Sequence, residues 1–410
     1  MDKQWLTADT VLQWAPQVQV TLESNGYATF VTADREIRCG TRALTLLDAF
    51  ATPRSVRDVM AELGPRAASP EDWSDLASTV TRLYSAGVLQ DEHRTAPALV
   101  EGEGYDAAPV HIRMLNDTAR TTAFMDALRE LVTPESVVLD IGTGTGILAL
   151  AAARAGARRV YAVEASGIAN VAQRMFAANG FADRITLVRG WSTRVTLPEQ
   201  ADLLVSEMIG SDPLRENLLE VTADAKHRLI KPHAVVIPRR LRLFGLPVSI
   251  PAAILQRHRF TDEQARLWHS HYGFDFSSLT ACATAPSFRF FAAPEECSAW
   301  DALGEPFVLA DLDLSCSLST SLECRASFPA TATGEMNGVV IFFETELSPR
   351  VRLSTHPSRV DSHNHWPCAV WGLTTPHPAR TGEQLQVTYR YRTGNTHGAV
   401  LLEPSLGPRE

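Results

Sequence analysis

Two glutamates nine residues apart carry the most specific chemistry in the chain: Glu207 and Glu216, in Ser206-Glu-Met-Ile-Gly-Ser-Asp-Pro-Leu-Arg-Glu-Asn217. A Gly-Ser-Asp-Pro turn between them allows the loop to fold back, so both carboxylates can face one pocket. Crowded carboxylates repel and tend to take up a proton, so the arrangement makes sense around a cation. A guanidinium is such a cation: planar, with five N–H donors in a fork that matches carboxylate oxygens. Its pKa, above about 12, makes it a poor nucleophile until its charge is localised and a proton leaves. Paired loop glutamates are ordinarily solvated surface charge. Their place here, at a strand end beside a glycine-rich turn, overturns that reading.

The turn lies in Val137-Val-Leu-Asp-Ile-Gly-Thr-Gly-Thr-Gly146. Val137, Val138, Leu139 and Ile141 form the continuous apolar run of a parallel strand buried on both faces. Gly142, Gly144 and Gly146 then let main chain approach a ligand with no Cβ in the way. Ile147 to Ala155 has helix-forming composition, so the glycines sit at a strand-to-helix switch, where open α/β sheets bind nucleotides. A dinucleotide fingerprint would read G-x-G-x-x-G. This one reads G-x-G-x-G, with Asp140 two residues before the first glycine. A second strand, Arg159-Val-Tyr-Ala-Val163, ends in Glu164, placed to take two ribose hydroxyls. An adenosine held by its ribose without a pyrophosphate fits S-adenosylmethionine.

The remaining elements divide the chain into domains. Residues 1–92 read as a small α+β domain: strand character over Val18–Val31 with a turn at Gly26, then helices over Arg42–Phe50, Ser55–Leu63 and Asp72–Ala86, then a short strand from Gly87. That outline resembles the small winged-helix, PqqD-like domains that bind leader peptides by adding a strand to a sheet edge. A purely structural or dimer-forming role stays open beside peptide capture. Residues 93–109 form a linker and lid. The helix starting at His111 is expected to run to about Val132, and the α/β domain spans 110–238, with further strands at Ile185–Val188 and Ala201–Val205. From 239 to 410 the period changes to two, as in Gln384–Arg392, and Val339–Phe343 is a buried run. This predicts an antiparallel β-barrel, interrupted by a helical insertion at 255–279.

Net charge is −9, which argues against nucleic acid as partner and suits a cationic substrate. Six cysteines, Cys39, Cys282, Cys297, Cys316, Cys324 and Cys368, include no C-x-x-C pair. They read as free thiols of a cytoplasmic protein, with no metal site expected. No signal peptide and no bilayer-spanning stretch is visible.

Over about residues 105 to 403 the chain resembles the protein arginine methyltransferase family. Five blocks match in order: His111–Arg120; Val137–Gly146 with Glu164; Ser206–Asn217, spacing intact; Tyr272-Gly-Phe-Asp-Phe276, like the end of the family's dimerisation arm; and Asn364-His-Trp366, where the family has Thr-His-Trp. The resemblance implies an arginine N-methyltransferase in which Glu207 and Glu216 hold the substrate guanidinium and Asp117 pairs with His365. Met114, Met208 and Trp366 would line the arginine pocket. Cofactor contacts would fall to Tyr105, His111, Arg120, Asp140, Gly142, Gly144, Gly146, Glu164, Ser192 and Thr193, with Arg120 on the cofactor carboxylate. A homodimer is implied. Two departures matter. The family's first lid aromatics fall near Glu101 and Gly102. The adenine-contacting acid of the main branch is replaced near Ser192-Thr193, closer to the branch that makes only monomethylarginine. Free L-arginine in a bacterial natural-product pathway is the expected substrate. Arginine in a peptide or protein captured by the N-terminal domain, or a non-catalytic cofactor-binding scaffold, remain as alternatives.

Overall fold

The computed structural model describes residues 6–15, 18–23, 27–31, 36–40, 42–66, 69–91, 108–279, 287–316, 318–392 and 399–403. Tyr105, Glu101, Gly102, Gly26, Cys282 and most of the linker fall outside the described residues.

The five-stranded sheet of the central domain is parallel throughout, in the order Ile230–Ile237, Ala201–Val205, Val137–Ile141, Arg159–Glu164, Ile185–Arg189. All five residues of Val137–Ile141 are buried, as its unbroken apolar run requires of a central strand. From this strand the chain first winds outward through Arg159–Glu164 and Ile185–Arg189. It then returns to place Ala201–Val205 on the opposite side. The order therefore reverses between Val137–Ile141 and Ala201–Val205, and the crevice beyond their carboxyl ends is where such sheets bind ligands. The glycine turn leaves from one of these strands and Glu207 from the other.

Where one helix is expected from His111 to Val132, there are two, Ala108–Asn116 and Thr118–Leu131. Asp117 stands between them as the cap of the second, its side chain accepting the Arg120 N–H at 3.0 Å. The apolar period runs across the junction, so periodicity alone gives no sign of the break.

The carboxyl-terminal part is antiparallel. One sheet runs Ser287–Ala292, Cys368–Ala379, Gly334–Glu346, Arg240–Ser249, Asp301–Ala302, and a second runs Ser321–Pro329, Gln384–Arg392, Ala399–Glu403. Together they form the β-barrel domain. Its core is continuous with that of the parallel sheet: Val137, Leu139 and Leu204 belong to one buried cluster with Phe343, Trp366 and Tyr389. The two domains are thus welded by apolar burial, which holds the loop carrying His365 rigidly over the glutamate loop. Between the strands Arg240–Ser249 and Ser287–Ala292 lies an insertion of two helices, Ala252–His258 and Asp262–Tyr272, neither with a buried residue.

The amino-terminal elements have a core of their own, built around Leu12, Phe30, Leu46, Phe50 and Leu83. Strands Gln19–Leu22, Tyr27–Val31 and Glu36–Gly40 form an antiparallel sheet. Helices Arg42–Ala49, Val56–Leu63 and Pro70–Ser85 follow. Ser55 caps the second by accepting the Asp58 N–H, as expected of serine at that position. Among the described residues no helix is long and apolar enough to cross a membrane.

Candidate functional site

The glycine turn has the backbone its composition requires. Gly142, Gly144 and Gly146 all have positive φ, at 74°, 56° and 88°, a region that L side chains rarely adopt. A Cβ on Gly146 would land on the Phe176 ring, which packs the following helix against the sheet. Glu164 is fixed from below, one oxygen accepting the Gly144 N–H at 2.9 Å and the other the Ser166 N–H at 2.8 Å. Asp140 is fully buried beneath the turn. One of its oxygens accepts from the Thr143 hydroxyl at 2.5 Å, while the other has no partner. Burial pushes its pKa up to about 7, Glu164's charge adding to the rise against the Thr143 hydrogen bond. These features suit S-adenosylmethionine: a main-chain cradle open to a ligand, and beside it an acid held at the end of the next strand.

Met208 and His111 flank the turn. A Cβ at Gly142 would come 3.2 Å from Met208 Cγ, and one at Gly144 would come 3.4 Å from the His111 ring. Ser192 is buried, its carbonyl accepting from Arg228 at 2.9 Å, whereas Thr193 is exposed. Met114 is half-buried on the helix Ala108–Asn116.

Glu207 lies one residue past the end of the strand Ala201–Val205, after Ser206, and its side chain is only 10% exposed. Burial raises its pKa to about 7; the Arg120 charge opposes that shift and the Glu216 charge adds to it. The glutamate loop therefore does bring its two carboxylates within electrostatic reach. Glu216 lies against Gly210, where a Cβ would come 3.0 Å from its Oε1 and 3.1 Å from the Asp212 carbonyl, so a larger residue there would have to shift the loop.

The barrel supplies the other half. His365 reaches Asp117 through its ring, Nδ1 to Oδ2 at 2.9 Å, and through its main-chain N–H, at 3.1 Å to the same oxygen. Burial works against the Asp117 charge, yet the hydrogen bonds from His365 and Arg120 hold its pKa below the usual carboxylate range. Burial lowers the His365 pKa, and the nearby Arg120 charge lowers it further against the pull of Asp117. An ionised Asp117 and a neutral His365 with its proton on Nδ1 leave Nε2 as an acceptor. Trp366 is 4% exposed. Its indole N–H donates to the Ile209 carbonyl at 2.6 Å and its ring meets Phe343 edge-on, pinning the glutamate loop to the barrel.

Two contacts have no sequence signal. Asp212, legible only as a turn residue, is buried and paired with Arg289 of the strand Ser287–Ala292 at 2.5 Å. Arg120 pairs with Glu207 itself, their side chains 7% and 10% exposed. Among the described residues no group of three or more His, Cys, Asp or Glu is arranged to hold a metal ion.

Known proteins share this architecture. The family model described as the arginine methyltransferase oligomerization subdomain matches residues 249–401, and that of ribosomal protein L11 methyltransferase (PrmA) matches residues 117–237. An arginine N(omega)-methyltransferase of Streptomyces achromogenes subsp. streptozoticus is 34% identical over 282 residues, which cover 67% of this chain and 74% of that protein. The chain belongs to the protein arginine methyltransferase family. Its reaction class is S-adenosylmethionine-dependent methyl transfer to arginine. Protein arginine N-methyltransferase 2 of Homo sapiens is 31% identical, over 75% of this chain and 72% of the relative. Among solved structures, the Trypanosoma brucei PRMT1 enzyme-prozyme heterotetrameric complex with AdoHcy shares the fold at a TM-score of 0.64 and 24% identity. That match covers 74% of this chain and 96% of the other. The described residues between 6 and 89 of this methyltransferase pack around an apolar core of their own.

Proposed function

We propose that this methyltransferase acts on free L-arginine, adding one methyl to a terminal guanidino nitrogen, or two to the same nitrogen. The reading rests on the buried Glu207 just past the strand Ala201–Val205 at the sheet's switch point, with Glu216 of the same loop packed against Gly210. Two such carboxylates suit one small, planar cation. The Streptomyces relative, named for arginine and not for protein arginine, supports a small-molecule substrate, and so does the excess of acid over base across the chain. Methylated arginine would then serve as a building block for a natural product.

S-adenosylmethionine supplies an electrophilic methyl on a sulfonium. The protein's residues do the rest. Glu207 and Glu216 grip the guanidinium and localise its charge, leaving one terminal nitrogen with its lone pair free to attack. Positioning of this kind supplies much of the rate. As that nitrogen forms its bond to the methyl carbon, the carbon–sulfur pair stays with sulfur. The two carboxylates stabilise the cation that develops on nitrogen, and its proton passes to Glu207 or, through His365 Nε2, to the Asp117–His365 pair. Met114 crowds the nitrogen, which favours monomethyl or asymmetric dimethyl products over symmetric ones.

The exposed insertion, with Leu267, Tyr272 and Phe274 at 52%, 62% and 68% exposure, is proposed to join two copies as a homodimer. The free thiols of Cys39, Cys297, Cys316, Cys324 and Cys368 fit cytoplasmic residence. A second reading rests on the strand Gln19–Leu22, which among the described residues is paired on one side only, by Tyr27–Val31, with Val20 and Leu22 exposed. A peptide carrying the target arginine would add to that edge. Mass spectrometry of reactions with S-adenosylmethionine and either free L-arginine or arginine-containing peptides separates the two. Methyl gain on free arginine supports the first. Turnover on peptides alone transfers the weight to the amino-terminal domain, and turnover on neither leaves a cofactor-binding scaffold.

A further inference from the structure

The segment between the two glutamates is tied to the barrel at two points. Trp366 holds it at the Ile209 carbonyl and Arg289 holds it at Asp212. Trp366 spends its single side-chain N–H on that tie, whereas Arg289 spends little of what it has. Its Nη1 group serves Asp212 Oδ2 at 2.5 Å. Among the described residues the Nε and Nη2 groups of Arg289 and the Oδ1 atom of Asp212 have no hydrogen-bond partner, and 12% of the Arg289 side chain stays open. Two further donors beside the pair are buried and unpartnered, the Tyr389 hydroxyl and the Trp371 indole N–H. The Trp371 ring centre lies 5.9 Å from the Arg289 guanidinium carbon. Burial, with the Asp212 charge added, pushes the Tyr389 pKa well above the usual tyrosine value. Such a concentration of unused polar capacity in a folded interior calls for an occupant.

We propose that Arg289 and Asp212 form a subsite for the amino-acid head of free arginine, the Arg289 fork taking the α-carboxylate and Asp212 the α-ammonium. The guanidinium at the other end of the same molecule sits at Glu207 and Glu216. The loop puts the two ends of the site close together. Glu216 Oε1 and the Asp212 carbonyl lie 3.0 and 3.1 Å from one point beside Gly210, a separation that the flexible stem of arginine can bridge. Access comes along the strand Ser287–Ala292. Alternation places Arg289 and Phe291 on one face, and Phe291 is 41% exposed, so that face opens to solvent. The chemistry matches group for group. A guanidinium fork binds a carboxylate bidentately, and a pair with no net charge complements a zwitterionic head with none, so no charge is left buried and unpaired. Arginine inside a peptide offers two amides at these positions. It would cover the pair without satisfying it, which is how a site built for polar groups rejects a ligand that lacks them.

This subsite presupposes the free-arginine reading, and its test keeps the two apart. The full-length protein, saturated with S-adenosylhomocysteine, is titrated calorimetrically with four ligands that all carry the guanidinium. They are L-arginine, agmatine (no carboxylate), desamino-arginine (no ammonium) and an arginine-containing peptide. L-Arginine should bind about tenfold or more tighter than each of the other three. Arg289→Lys keeps the ion pair with Asp212 but not the fork. It should weaken L-arginine about tenfold and leave agmatine unchanged. Arg289→Gln combined with Asp212→Asn removes both charges together, and L-arginine should then bind no better than agmatine. A tie that only holds the loop in shape would weaken every ligand by the same factor, and that outcome overturns the subsite. Equal affinity of the wild type for L-arginine and agmatine also overturns it, as does a preference that survives both variants; in either case the guanidinium seat stands. Binding of the peptide with no affinity for L-arginine removes the free-arginine reading, and the subsite falls with it.

Discussion

The carboxylate of Asp117 serves two elements at once. One oxygen caps the helix Thr118–Leu131 through the Arg120 N–H at 3.0 Å, and the other receives the His365 ring from the barrel at 2.9 Å. Helix start, cofactor domain and barrel are thereby registered at a single side chain. Because asparagine caps helices about as well as aspartate, Asp117→Asn separates the two duties. Stability should fall only by about 1–3 kcal/mol, because the amide keeps the cap but turns its NH2 toward the His365 N–H, while turnover falls about 10²-fold as His365 loses the charge that orients it. Melting temperature and kcat measured side by side check this; a lowered melting temperature with unchanged kcat would make Asp117 a structural cap only.

Glu207 must be ionised to hold a guanidinium, and burial places its pKa at about 7 in the free protein. Its raised pKa means the protonated form dominates below that value. So kcat/KM, which reports the free enzyme, should fall as pH drops through about 7. In the complex the substrate's positive charge lowers the Glu207 pKa, so kcat should hold to lower pH. A kcat/KM profile flat between pH 6 and 8 would remove Glu207 from the clamp.

Glu216→Gln keeps the shape of the second clamp residue and discards its charge. Turnover should drop by about 10²–10³-fold or more, with S-adenosylhomocysteine affinity by calorimetry close to wild type. Glu207→Gln should abolish turnover as well, but it also strips Arg120 of its counter-charge, so the Glu216 variant is the cleaner reading. Near wild-type activity in either would refute the guanidinium seat.

Arg289 and Asp212 form a buried ion pair, 12% and 5% exposed, that ties the glutamate loop to the strand Ser287–Ala292. Removing one partner of such a pair costs about 3–5 kcal/mol because the other stays buried and uncompensated. Arg289→Met should therefore lower the melting temperature and kcat while sparing cofactor affinity. Adding Asp212→Asn should recover much of the stability. A single variant as stable as the parent would mean that the loop is held by Trp366 and Ile209 alone.

Glu164 accepts main-chain N–H groups from both Gly144 and Ser166. Glu164→Ala removes those anchors together with the acid proposed for the ribose hydroxyls. Cofactor affinity should weaken about 10²-fold, from charge-assisted hydrogen bonds worth about 1.5–3 kcal/mol each. Activity at saturating cofactor should be largely kept. Equilibrium binding of S-adenosylhomocysteine measures the first effect and initial rates measure the second.

What the sequence determined by itself is what local pattern encodes. The buried strand Val137–Ile141, its glycine turn and the alternation of Gln384–Arg392 could be read directly, because burial on one face or two imposes a period on residues adjacent in the chain. The pairing of Asp117 with His365, 248 residues apart, came from the order of blocks shared with a family, since no local rule links them. Only the tertiary structure decided the rest. It split the expected helix at Asp117, buried Asp212 against Arg289 across 77 residues, and set Arg120 on Glu207 across 87. These contacts exist because the strand order reverses between Val137–Ile141 and Ala201–Val205 and because the barrel shares its core with that sheet. A buried charge takes whichever partner the packing brings within reach, and no spacing along the chain records which one that is.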